Sequence, residues 1–155
     1  MNTISSYLEI DHEHCATLFA QVRDAVRARL WKEADLGFAD FADALERHLQ
    51  IEEQVVFGAF EEAVGNAGAA TGMLRAEHQS IRGMVRRLSA SLEARAPSAY
   101  FDHADTLRIV LHAHSEKEEG VLYPLIERVL AARCDELIGA MARFGKVQAM
   151  SMSAA

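Results

Sequence analysis

His48 and Glu52 are four residues apart, and so are His114 and Glu118. On a helix that spacing sets an imidazole and a carboxylate on one face, in adjacent turns. His12 and His78 complete a register: 78 − 12, 114 − 48 and 118 − 52 all give 66. Two histidine–glutamate pairs and two further histidines, repeated in this way, point to metal ligation. Two glutamates can bridge two metal ions about 3.5–4 Å apart. Each ion then has two imidazole nitrogens and two carboxylate oxygens, and a bridging oxide or hydroxide adds a fifth ligand. Mixed imidazole and carboxylate ligation suits iron, with zinc or manganese as competitors. A structural zinc site takes four ligands, fewer than the six here.

These residues lie where apolar side chains belong. Ile4, Leu8, His12, Cys15, Phe19, Val22, Val26 and Leu30 step by three and four, as one helix face does. Phe38, Phe41, Leu45, His48, Glu52, Val55 and Ala59 form a second such face. Leu74, His78, Ile81, Val85, Leu88 and Leu92 form a third, and Ala104, Leu107, Leu111, His114, Glu118, Val121 and Leu125 a fourth. Gly65, Asn66 and Gly68 break the chain between the second and third, and Pro97 suits the start of the fourth. The pattern predicts an all-α, antiparallel, up-down-up-down four-helix bundle. A short C-terminal helix over roughly 135–147 packs outside it. Residues 1–149 form the domain and 150–155 a loose tail.

The offset of 66 runs through the apolar seam as well. Phe41 maps to Leu107, Leu45 to Leu111, Val55 to Val121, Phe57 to Tyr123, and Asp11-His12 to Glu77-His78. Two helical hairpins related by a pseudo-two-fold axis are expected. With the first hairpin turn near Trp31 to Asp35, His12 and Glu52 each lie roughly 30 Å from it at 1.5 Å per residue. All six ligand-type side chains then meet at one level. Buried carboxylates that share a core repel each other and need a counter-charge, which a metal supplies.

Composition excludes other classes. The formal net charge of −7 disfavours nucleic acid and anionic membrane surfaces as partners. No apolar run approaches the roughly 20 residues of a membrane span. The first residues have neither the basic start nor the apolar core of a signal peptide. Cys15 and Cys134 form no CxxC pair, so a reducing cytoplasmic setting is expected.

The pattern H…HxxxE…H…HxxxE resembles the hemerythrin-like, or HHE cation-binding, family. The matching text is Asp11-His12, HLQIEEQVVF from His48, EHQSIRGMV containing His78, and HSEKEEGVLYP from His114. The resemblance spans roughly residues 4–131. It implies a non-haem di-iron centre in the bundle, and chemistry with O₂, peroxide or nitric oxide. The oxygen carriers of that family have HxxxH on the third helix, where this chain has Arg82, and an aspartate five residues after the fourth-helix histidine. Here Glu118 follows at four, so the ligand set is nearly symmetric. It looks closer to members tied to peroxide breakdown and oxidative stress, or to iron–sulfur repair. Three functions follow: reaction with peroxide or O₂; sensing, storage or carriage of O₂, nitric oxide or iron without catalysis; or a structural bundle with an adventitious metal. Whether the protein is an enzyme is not fixed by its ligands.

Other residues have blander readings. His14 and His112 lie two residues from a ligand and point elsewhere on a helix. His103 is three turns from His114. Glu53 and Glu119 read as a solvated face, and second to that as supports for a ligand imidazole. Tyr123 and Phe57 read as core, Cys15 as a small core residue, and Tyr7 as a residue within possible reach of the metals.

Overall fold

The computed structural model describes residues 2–65 and 68–154, with side chains described for 2–65 and 70–144. Its first helix, α1 (Ile4–Arg27), starts at a reciprocal cap: Thr3 Oγ1 accepts from the Ser6 amide and Ser6 Oγ from the Thr3 amide, both at 2.9 Å. Arg29, at φ 60°, turns the chain into α2 (Trp31–Ile51). A five-residue π-turn (Glu52–Val56) joins α2 to α3 (Phe57–Val64), and Gly65 ends α3 in the left-handed conformation, φ 71°. The second hairpin repeats this plan. It comprises α4 (Gly68–Glu93), a turn at Arg95 with φ 51°, α5 (Pro97–Lys117), a π-turn (Glu118–Leu122) and α6 (Tyr123–Val129). The two turn arginines obey the internal offset, 95 − 29 = 66.

The expected bundle is present: α1, α2–α3, α4 and α5–α6 are its four long rods, and no strand occurs among the described residues. After a short 3₁₀ turn (Ala131–Arg133), α7 (Cys134–Ala154) adds a fifth helix, longer than the sequence suggested. Leu137 and Met141 on α7 are buried against the lower end of the bundle. The side chains of the expected tail, 150–155, lie outside the described residues; the backbone of α7 is helical to Ala154.

Two apolar clusters fill the core. The upper one, toward the hairpin turns, contains Val22, Phe41, Leu45, Leu88, Tyr100 and Leu107. The lower one contains Ile4, Leu8, Val56, Phe57, Leu122 and Ile126. Between them His48, Glu52, His78, His114 and Glu118 are buried, so one polar layer interrupts the apolar seam.

The π-turns correct one expectation. A simple helical seam runs from Glu118 to Val121 and Leu125. Val121 is instead 70% exposed, and Leu122 and Ile126 are buried. The seam of the first hairpin moves in the same way, from Val55 to Val56. A π-turn holds one residue more than an α-turn, so each seam shifts by one position just below its glutamate.

Candidate metal centre

His12, on α1, is level with His48 on α2; their ring centroids are 4.6 Å apart and steeply inclined at 63°. In the second hairpin His78 and His114 repeat this arrangement at 4.9 Å and 68°. The hairpin turns come a few residues earlier than Trp31 and Pro97, which pairs each lone histidine with the partner histidine rather than with the glutamate. Glu52 and Glu118, both fully buried, lie between the two histidine pairs.

Two overlapping groups result. Ligand atoms of His12, His48, Glu52 and Glu118 all lie within 4.8 Å of one another, and so do those of Glu52, His78, His114 and Glu118. All six predicted residues are therefore brought together, with both glutamates shared. Each inward nitrogen has a glutamate oxygen nearby: His12 Nε2 to Glu118 Oε2 is 3.1 Å, His78 Nε2 to Glu52 Oε2 is 3.2 Å, and His114 Nε2 to Glu118 Oε1 is 3.0 Å. Yet His48 Nε2, His78 Nε2, His114 Nε2, Glu52 Oε2 and Glu118 Oε1 are buried without an aligned hydrogen bond. Buried polar atoms without partners are costly. Five of them converging on two adjacent points is the arrangement a pair of cations satisfies, and the donor set of imidazole and carboxylate suits it.

The outward nitrogens are all held. Nδ1 of His12 donates to Glu119 at 2.7 Å, and Nδ1 of His78 to Glu53 at 2.8 Å. Nδ1 of His48 donates to Asp11 at 3.3 Å, and Nδ1 of His114 to Glu77 at 2.6 Å. These carboxylates obey the offset too: 119 − 53 and 77 − 11 both give 66. An Nδ1–H bound to a carboxylate fixes the tautomer that leaves Nε2 bare toward the metal. Glu53 and Glu119 thus support a neighbouring imidazole, Glu53 from a shielded position and Glu119 from the solvated face. Asp11 and Glu77 have the same role, which sequence reasoning missed although their positions in the repeat were visible.

Charge is strongly coupled here. Burial pulls the His12 imidazolium down, but Glu118 and Glu119 outweigh it and hold its pKa at about 9. Burial acts likewise on His78, and Glu118, Glu52 and Glu53 hold it at about 10. His114 is raised despite burial by Glu118 and Glu77. Burial pushes the Glu118 carboxyl up, yet His114, His12 and His78 hold it well below the ordinary range. The raised values of His12, His78 and His114 and the lowered value of Glu118 express one mutual attraction between imidazolium and carboxylate.

Tyr123 breaks the pseudo-symmetry. Its hydroxyl donates to Glu52 Oε1 at 2.5 Å and lies 3.1 Å from Glu118 Oε2 and 3.3 Å from His12 Nε2. The matching residue, Phe57, stacks on His78 with centroids 5.8 Å apart. Five residues span about 140° beyond a full turn of an α-helix, which is why Tyr123 read as ordinary core. The π-turn from Glu118 winds more slowly and returns residue 123 to the glutamate's face. Burial, then the charges of Glu52 and Glu118, push the phenol well above its ordinary value.

Arg82 is the second break. It spans from α4 to Glu46 and Glu53 on the second rod at 2.9 Å each, over the carboxylate that holds His78. The equivalent residue beside His12 is Ala16 (82 − 66). Glu53 is accordingly 17% exposed and Glu119 41%. His14 is exposed, and His112 faces solvent, paired with Glu116 at 3.3 Å. Tyr7 packs against the lower apolar cluster. Cys15 is buried and, like Cys134, a free thiol.

The model of the hemerythrin HHE cation-binding domain matches residues 3–126, and again residues 70–151. The second match begins 67 residues after the first (70 − 3), close to the internal offset. No curated protein and no solved structure matches the chain.

Proposed function

Because the chain belongs to the hemerythrin HHE cation-binding domain family, we propose that its cation site is a pair of iron ions that reacts with peroxide or O₂. The observation that carries the reading is the set of five buried, unpartnered ligand atoms directed at two adjacent points that share Glu52 and Glu118. A ferrous pair supplies the two electrons that reductive cleavage of a peroxide O–O bond requires.

The chain's own residues do the rest. His12 and His48 hold one position, and His78 and His114 the other. Asp11, Glu53, Glu77 and Glu119 fix the imidazole tautomers and raise ligand basicity. Tyr123 keeps a proton at its phenol oxygen, beside Glu52, where it stabilises a carboxylate or supplies a hydrogen bond to an oxygen species. Arg82 and Phe57 keep water away from His78. The near-symmetric ligand set and this fixed proton favour a redox role over reversible carriage. A reducing cytoplasm suits both ferrous iron and two free cysteines.

The test is elemental analysis of protein from iron-replete cells, followed by peroxide consumption. About two irons per chain are expected, with near none after replacing His48 and His114 by Ala. A stable helical protein with no bound metal overturns the reading, as does an iron-loaded protein that clears peroxide no faster than free iron.

A further inference from the structure

The pseudo-two-fold axis gives the bundle two lateral grooves, and they differ. The groove between α2 and α4, about 340 Å³, is lined by Leu45, Ile81, Val85, Arg82 and Arg86. It reaches none of the six ligands, because Arg82 stands across it. Its counterpart between α1 and α5, about 390 Å³, reaches His12 and His48. Ala16 and Ala20 stand there in place of Arg82 and Arg86 (82 − 66 and 86 − 66). The walls are apolar: Ala16, Phe19, Ala20, Leu45, Ala104 and Leu111.

A cavity of this size, within the roughly 300–1,000 Å³ typical of organic ligands, is far more than O₂ or hydrogen peroxide fills. Apolar walls also give a small polar peroxide no affinity. The end away from the metals carries two cations, Arg23 and Arg108. Arg23 Nε is buried without a hydrogen-bond partner, and neither arginine has an ion pair among the described residues. Tyr100, whose buried hydroxyl is also unpartnered, lies within reach of the Arg23 charge. Of the acids on the rim, Glu119 is engaged by His12 and Glu116 by His112, which leaves Glu13 and Asp105. One negative charge is accommodated at the arginine end; further negative charge would meet those two carboxylates. From His12 to Arg23 is about 16 Å along α1 at 1.5 Å per residue, part of which the arginine side chain spans.

We propose that the α1–α5 pocket binds an apolar organic monocarboxylate of medium chain length, its carboxylate on Arg23 and its apolar body lying against Ala16, Phe19 and Leu111 toward His12 and His48. This goes beyond the peroxide reading and does not depend on it, since binding is measured with and without metal.

The test is calorimetric titration of metal-free and iron-loaded protein with decanoate and with decanol, below the micellar range. Saturable one-site binding of decanoate is expected in both forms, with decanol weaker by about tenfold or more. Arg23→Gln should weaken decanoate by a similar factor. Ala16→Arg, which copies Arg82, should abolish binding, and Ala20→Phe, which fills the pocket without charge, should do the same if the first variant folds poorly. Arg86→Gln, in the opposite groove, should change nothing. Absence of saturation overturns the proposal, as does equal affinity for decanol. Decanoate binding that survives both Arg23→Gln and Ala20→Phe overturns it as well.

Discussion

The Tyr123 hydroxyl lies 2.5 Å from Glu52 Oε1, so a phenol from the second hairpin is hydrogen bonded to a buried carboxylate of the first. Replacing Tyr123 by Phe makes the position match Phe57. In the metal-free protein the loss of hydrogen bonds to charged carboxylates should cost about 1–3 kcal/mol, read from urea unfolding. Metal content should stay at its wild-type value, because both groups of imidazoles and carboxylates are untouched. Loss of a metal would instead make Tyr123 a ligand.

Glu53 and Glu119 make equivalent bonds to His78 and His12, but Glu53 is the better shielded. Glu53→Gln and Glu119→Gln should each lower metal affinity, on the order of 10–100-fold. The Glu53 change should be the more severe, because it also removes one of the two carboxylates, Glu46 being the other, that hold the partly buried Arg82 guanidinium. Competition with a chromophoric chelator measures both. Equal, negligible effects would mean the carboxylates do not orient the imidazoles.

The metal-free protein should show an alkaline loss of stability. His12 and His78 have folded values of about 9 and about 10, above the ordinary 6.5. Raised values favour the folded state fully below 6.5, and that benefit disappears as pH rises through 9 to 10. Glu118, Glu53 and Glu77 have lowered values, so their contribution holds above the ordinary 4.5 and fades as pH falls. Urea midpoints of metal-free protein should therefore peak between about pH 5 and pH 6.5 and drop by about pH 10. Metal displaces the imidazole protons, so loading should release protons and tighten as pH rises toward 9. A metal-free protein more stable at alkaline pH would contradict this arrangement.

Arg82 shields one side of the site, and Arg82→Ala should unshield it. A chelator should then strip the metal at His78 and His114 faster than in the wild type. Removal from the His12 and His48 position should be little changed. Stopped-flow chelation with the two phases resolved checks this; unchanged kinetics would mean Arg82 does not control access.

The bundle and the convergence of the six histidine and glutamate side chains were legible because one feature, a repeat of fixed offset, was written in the residues that must face inward. Inward-facing side chains impose helical spacing, and among them are five buried histidines and glutamates and the partly buried His12. What stayed hidden depended on local winding. The π-turns at Glu52 and Glu118 leave no composition signal, so Val121 read as buried and Tyr123 as ordinary core. Glu53 and Glu119 follow a ligand directly, a position that on a plain helix faces solvent. Only their reach to a histidine on another helix reveals their use. Asp11 and Glu77 were visible as a matched pair, but the imidazoles they hold lie 37 residues away in sequence.

The shared offset also bears on how such a chain arises. Each hairpin supplies two imidazoles, one of the two shared glutamates, the carboxylates that support its partner's histidine and its own, and a π-turn. Two copies of one hairpin meeting across a two-fold axis would rebuild both cation positions through a self-complementary, isologous contact. Half the gene is thus a complete recipe for the site when it is read twice. The differences between the halves, Phe57 against Tyr123 and Ala16 against Arg82, are what one continuous chain permits and such a symmetric pair would not: two equivalent positions with unlike surroundings.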